Sequence, residues 1–279
     1  MFRTKFVARL STALLLSTTL FSTPLWAKQI SVSGSTSVAR IMDVLAEDFN
    51  HAHPDSDVTV QGIGSTAGIS LVKQGIVPIG MSSRYLVESE ITDDDLAVDT
   101  IALDGLAVVV NQSNPVTNVT REQLYDIYQG KITNWKQLGG PDQKIAVVTR
   151  EASSGSRYSF EHLLGLTRII NKHEVSDINP QNLVVNSNSM VKTLVHHNKQ
   201  AIGFISIGSV DFSVKAIQFD NVEANSQNVA NGDYELSRPF LVIFHPNKLD
   251  KDAQAFVDFL KSDAAKKRIQ EYGYTPVSR

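Results

Sequence analysis

The chain has 279 residues, 26 basic and 29 acidic side chains for a net charge of −3, and no cysteine. Lack of cysteine excludes disulfides, thiolate metal sites, a cysteine nucleophile and the lipidated cysteine of a bacterial lipoprotein. The acidic balance argues against nucleic acid as a partner, so any bound anion must be held by local chemistry rather than by a global field.

Residues 1–27 read as a cleavable secretory signal peptide. Arg3, Lys5 and Arg9 form its basic region, Leu10 to Phe21 its apolar stretch, and Pro24-Leu25-Trp26-Ala27 its cleavage end, although Leu25 is larger than the residue expected three positions before a cut. The apolar stretch is short and rich in Ser and Thr for a membrane span. Removal takes the 279 residues to 252 and the net charge from −3 to −6, because all three charges in the leader are basic. A chain of that size can fold on its hydrophobic core alone, as one large or two smaller domains.

QISVS (29–33) is the first predicted strand, and Val38, Ile41, Leu45 and Phe49 then fall on one helical face. DVTVQGI (57–63), LAVVVN (106–111), KIAVVT (144–149), NLVVN (182–186), AIGFISI (201–207) and PFLVIF (239–244) are further strands. Glu88, Glu90, Asp93, Asp94 and Asp95 form an acidic run that reads as a solvated helix face. Thr120 and Gln123 make a capping-box pattern ahead of Leu124 and Ile127, with Gly130 as the stop. Ser262 or Asp263 caps a last helix that ends at Gly273. β-branched runs alternating with helical patterns indicate α/β layering. LAVVVN and PFLVIF, far apart in the chain, are candidates to cross between two lobes whose cleft is the natural ligand site; one larger sheet is the alternative.

Polar junctions recur where a strand gives way to a helix. GSTSVARI (34–41) carries Ser35, Thr36 and Ser37; GIGSTAGISLV (62–72) carries Ser65 and Thr66; GMSSRYL (80–86) carries Ser82, Ser83 and Arg84. TREASSGSRYSF (149–160) carries Arg150, Ser154, Gly155 and Ser156, and SNSMVKTLV (187–195) repeats the pattern. The first turn of a helix has unpaired N–H groups and the positive end of the peptide dipoles. Glycine permits close approach, hydroxyls add short donors, and an arginine adds a charge-assisted contact, which together suit a tetrahedral oxyanion. Each junction taken singly is also an ordinary N-cap.

Enzymatic readings find less support. Gly64-Ser65-Thr66-Ala67-Gly68 lacks nucleophile-elbow spacing, and no GxxxxGK[ST] nucleotide loop is present. His51, His53, His196 and His197 have no metal-site spacing and read as surface or helix-end residues. No metal and no cofactor is implied. Arg157 reads equally as a second anion contact or as a surface residue.

GSTSV, GIGSTAG, IGMSSR, KITNWKQLGG, REASSGSRYSFE and AIGFISIG, in this order from about residue 28 onward, resemble the periplasmic phosphate-binding proteins of ABC importers. The resemblance implies an α/β, two-lobed periplasmic binding protein (type II-like) with two crossing strands as hinge. It would comprise lobe I at 28–107, lobe II at 108–238 and a return to lobe I at 239–279. It further implies a monomer that binds inorganic phosphate in the cleft, closes around it and delivers it to a membrane-embedded ABC permease. Carried over by position, the ligands would be Thr36 and Ser37 with Ser35 adjacent, Ser65, Ser83, Arg150 as the one cation, Ser154, Gly155 and Ser156. Ser83 stands where some family members have an aspartate that accepts the proton of monohydrogen phosphate, which leaves discrimination against sulfate with a weaker basis; Glu151 is a candidate substitute acceptor. Alternatives are a binding protein for sulfate or molybdate, and a secreted serine-dependent phosphatase, for which no base is nominated.

Overall fold

A computed structural model describes residues 28–91 and 95–277. The signal-peptide assignment at 1–27 lies outside the described residues, as do Asp93 and Asp94 of the acidic run. The strands are β1 (Lys28–Gly34), β2 (Ser56–Gly62), β3 (Ile79–Ser82), β4 (Ala97–Val110), β5 (Asn118–Val119), β6 (Ala146–Arg150), β7 (Thr167–Ile170), β8 (His173–Ser176), β9 (Leu183–Val185), β10 (Ala201–Ser206), β11 (Lys215–Phe219), β12 (Ser237–Phe244) and β13 (Thr275–Pro276). The helices are α1 (Thr36–Ala52), α2 (Ser65–Lys73), α3 (Arg121–Gln129), α4 (Gly155–Leu164), α5 (Asn188–His197), α6 (Ser226–Asn231), α7 (Lys251–Leu260) and α8 (Asp263–Glu271).

Local sequence chemistry accounts for the helix limits. Val38, Ile41, Leu45 and Phe49 of α1 are all buried, as their spacing predicts. At α3, Thr120 Oγ1 accepts from the Gln123 amide at 3.2 Å while Gln123 Oε1 accepts from the Thr120 amide at 3.0 Å, so both sides of the capping box form. Gly130 ends that helix in the left-handed region at φ 83°. Of the two candidates at the last helix, Ser262 is the cap, its Oγ accepting from the Ala265 amide at 3.2 Å.

The main sheet runs in the order β2-β1-β3-β12-β4-β10-β6-β9, with β11 and β13 also paired to β4 and β5 paired to β11. β1 pairs in parallel with β2 and β3, as helical crossovers require, and β12 is antiparallel to both β3 and β4. The fourteen-residue β4 changes partner along its length. Ala97 to Gly105 pair with β12, and Leu106 to Val110 pair with β10.

The hydrophobic core divides at the same point. Ile30, Leu45, Phe49, Ala102, Phe240 and Phe256 belong to one cluster, whereas Leu106, Val108, Trp135, Phe160, Phe204 and Leu236 belong to another. The molecule is therefore a two-lobed α/β fold in which β4 runs from one lobe to the other and the chain crosses back at Leu236, just before β12. The crossing strand is longer than its apolar signal LAVVVN, because its first half carries Asp99, Thr100 and Asp104, which break an apolar pattern.

Helix α2 sits against β1 through two glycines. A Cβ on Gly68 would lie 2.5 Å from the Gly34 Cα and 2.6 Å from the Ser33 carbonyl oxygen, and neither backbone atom can swing aside. Gly68→Ala is expected to force α2 off the sheet and to destabilise the protein by about 1–3 kcal/mol, the usual range for overpacking. Thermal unfolding checks this, and an unchanged Tm would show that the helix shifts freely.

Candidate functional site

Four helix N-termini, from α1, α2, α4 and α5, meet at one buried point between the lobes, and their caps are the sequence junctions singled out above. Ser35 caps α1, its Oγ accepting from the Ser37 and Val38 amides at 3.2 and 3.4 Å, and donates to Ser83 Oγ at 2.8 Å. Ser83, just after β3, also has its amide on Ser65 Oγ at 3.1 Å, with the two hydroxyl oxygens 3.5 Å apart. These residues belong to the first lobe. From the second, Ser156 Oγ lies 3.1 Å from Ser37 Oγ, and Ser159 Oγ donates to the Ser83 carbonyl at 3.1 Å. Asn188, at the start of α5, donates through Nδ2 to Ser37 Oγ at 3.0 Å.

Every one of these hydroxyls is buried. Buried hydroxyls need partners, and here Ser35, Ser65 and Ser83 find them in one another within the first lobe, while Ser37 and Ser156 meet across the interlobe boundary. Gly155 occupies the tightest position. A Cβ there would lie 2.2 Å from Ser65 Oγ and 2.6 Å from Ser83 Oγ.

Arg150 enters at the edge of the cluster. It is 1% exposed and donates through Nη2 to Thr36 Oγ1 at 3.1 Å and to the Asn186 carbonyl at 3.1 Å, while Nη1 lies 3.4 Å from Asn188 Oδ1. Glu151 takes the remaining edge, accepting from Nε and Nη2 at 3.0 Å each. The carboxylate considered as a substitute acceptor thus faces the arginine, not the serines. Ser154 is the N-cap of α4, its Oγ accepting from the Arg157 amide at 3.3 Å, and holds the helix start rather than joining the hydroxyl cluster.

Two arginines that the sequence brought near the site turn away from it. Arg84 binds Glu90 with both terminal nitrogens at 2.7 Å and lies over the Tyr158 ring at 4.8 Å. Glu90, read as part of a solvated acidic face, is thus the partner of a buried cation, and the Arg84 contact holds its carboxyl below the ordinary range although burial acts the other way. Arg157 binds Glu161 at 2.8 Å and the Arg150 carbonyl at 3.0 Å. The second guanidinium inside the cluster is one that sequence reasoning missed. Arg238 of β12 donates through Nη1 to Ser156 Oγ at 2.7 Å and lies 3.2 Å from Ser83 Oγ. Asn188 and Ser159 were missed as well.

A family model for the PBP superfamily domain matches residues 22–264. The phosphate-binding protein PstS of Bacillus subtilis is 33% identical over 253 residues, which cover 89% of this chain and 81% of that protein. This chain belongs to the PstS family of phosphate-binding proteins. An ABC-type phosphate transport receptor from Vibrio cholerae shares 64% identity with this PstS-family chain, with a TM-score of 0.75, covering 89% of this chain and all of that one. A Clostridium perfringens substrate-binding protein assigned to phosphate ABC transport, solved with bound phosphate, shares 38% identity at a TM-score of 0.84 over 90% of this chain. The PstS family is one of solute-binding proteins, and no helix among the described residues is long and apolar enough to cross a membrane.

Proposed function

We propose that this chain captures inorganic phosphate between its two lobes and delivers it to a membrane-embedded ABC permease, without itself catalysing a reaction. The observation that carries this reading is the meeting of four helix N-termini, a set of buried hydroxyls and a buried guanidinium at one interlobe point. Helix N-termini and hydroxyls supply donors in many directions, which a tetrahedral anion needs and a planar or neutral ligand does not.

The ligand set in this reading is Ser35, Thr36, Ser37, Ser65, Ser83, Arg150, Gly155 and Ser156, with Ser154 fixing the α4 N-terminus. Lobe I comprises 28–107 and 239–279, and lobe II comprises 108–238, so closure turns on β4 and β12. Closing removes the anion from water and brings the lobe I hydroxyls of Ser65 and Ser83 against Ser156 and Gly155. The closed form is what the permease meets. The protein works as a monomer in the periplasm after loss of residues 1–27, without a lipid anchor, metal or nucleic acid.

Calorimetric titration of the mature protein with phosphate, with sulfate and molybdate as competitors, tests this. Micromolar or tighter phosphate binding that sulfate leaves intact is expected. Equal binding of sulfate would keep an anion site and sink the phosphate assignment. Arg150→Ala removes a charge-assisted contact worth about 1.5–3 kcal/mol and is expected to weaken phosphate binding about 10- to 150-fold. Turnover of a chromogenic phosphate ester would overturn the non-catalytic reading.

A further inference from the structure

We propose that Arg238, carried on β12 where the chain crosses between lobes, is a second cationic ligand of the bound anion, and that Asp104 is the positioning residue that aims it. The inference rests on the phosphate-capture reading above and adds a ligand to it.

Arg238 and Asp104 stand directly opposite each other in the antiparallel ladder of β12 and β4. Their side chains are 1% and 0% exposed. Nε and Nη2 of the guanidinium both donate to Asp104 Oδ2, at 3.0 and 2.8 Å, and Ser206 Oγ donates to the other carboxylate oxygen at 2.9 Å. Both oxygens of Asp104 are thereby engaged, and the planar guanidinium is fixed along one edge. Its remaining nitrogen, Nη1, points away from the carboxylate into the hydroxyl cluster. There it meets Ser156 Oγ at 2.7 Å and Ser83 Oγ at 3.2 Å, one from each lobe.

A charge pair that served only to join β4 to β12 would need no such outward edge. Buried ion pairs are on average no more stabilising than apolar residues of similar volume, so one retained in a crossing ladder calls for another use. The neighbouring cations do not supply one: Arg84 is spent on Glu90, and Arg157 on Glu161 and a backbone carbonyl. Arg150 reaches the cluster through Thr36 and Asn188, whereas Arg238 reaches it through Ser83 and Ser156, so the two guanidinium groups approach through different residues. Each carries its own carboxylate, Glu151 for Arg150 and Asp104 for Arg238. An acidic protein can in this way present two cationic edges to an anion without a net positive pocket.

The test uses the purified mature chain, stripped of carried-over ligand, with inorganic phosphate as the probe. Wild type, Arg238→Lys and the double variant Asp104→Asn/Arg238→Gln are compared by calorimetric titration and thermal unfolding. Lysine keeps the charge beside Asp104 but loses the fork, and the double variant removes both charges together so that neither is stranded. Arg238→Lys is expected to melt within a few degrees of wild type yet bind phosphate at least about tenfold more weakly, and the double variant at least about thirtyfold more weakly. Phosphate affinity within about threefold of wild type in either variant would make Arg238 a strand crosslink and overturn the inference, while leaving phosphate capture intact. A wild type that takes up no phosphate would instead sink the capture reading and this inference with it.

Discussion

Gly155→Ala is expected to weaken phosphate binding by about 100-fold or more, equivalent to roughly 2.7 kcal/mol, while leaving the unliganded protein at least as stable as wild type. The two halves of this expectation have separate physical causes. Gly155 opens α4 and does not have a positive φ, so alanine is compatible with its backbone and is the better helix former. With the lobes as they sit in this structure, however, the new methyl would lie 2.2 Å from Ser65 Oγ, 2.6 Å from Ser83 Oγ and 3.0 Å from Ser65 Cβ. The hydroxyls can rotate away, but only by withdrawing two donors from the site. The Ser65 Cβ has no such freedom, so the lobes must also stay slightly apart. Titration calorimetry measures the affinity and a thermal melt without phosphate measures the stability. Near wild-type binding would mean that α4 and α2 do not meet in the liganded state; a large fall in the unliganded Tm would mean that the glycine is needed for folding rather than for closure.

The difference between Gly155 and Arg238 marks how far the sequence can be read. Gly155 lies in a junction whose signals are all local: an apolar strand, then serines and a glycine, then helical spacing. Caps work over three residues, so Ser35, Thr120, Ser154 and Ser262 could be recognised without knowing the fold. That the N-termini of α1, α2, α4 and α5 converge is visible only through the number and type of their junctions. Arg238 and Asp104 are 134 residues apart; Arg238 is the one charge in β12, whereas β4 carries Asp99 as well as Asp104. Their pairing is a matter of β-register, which no local pattern specifies. The available clue was an unexplained charge of opposite sign just ahead of each of the two candidate crossing strands, Asp104 before LAVVVN and Arg238 before PFLVIF. Arg84 misled in the other direction: adjacency to Ser83 suggested the anion, but the chain turns after β3 and delivers its guanidinium to Glu90. Arg157 was legible in principle, since Glu161 stands four residues on along the same helix face. Short strands such as β3 and β11 were overlooked because four or five residues with a single β-branched side chain do not separate from loop.

Asp104→Ala is expected to be the most destabilising single change at the interlobe crossing. Asp104 is fully buried, and burial pushes its carboxyl up from the ordinary range and the Arg238 guanidinium down, so neither charge would be tolerated there alone. Arginine does not shed its proton at neutral pH, so deletion of Asp104 leaves a buried cation with only serine hydroxyls and a backbone carbonyl as partners. Breaking a buried pair in this way costs about 3–5 kcal/mol, which for a chain of this size is a fall in Tm of roughly 10 °C. Removing both charges is a different case: Asp104→Leu/Arg238→Met should recover most of the lost stability, because no charge is left stranded. Thermal unfolding of the three proteins decides between these expectations. An Asp104→Ala variant that melts like wild type would mean that the serines alone satisfy Arg238. If Arg238 faces the ligand, phosphate should raise the Tm of Asp104→Ala by more than it raises that of wild type, since the anion then supplies the partner that the carboxylate no longer provides.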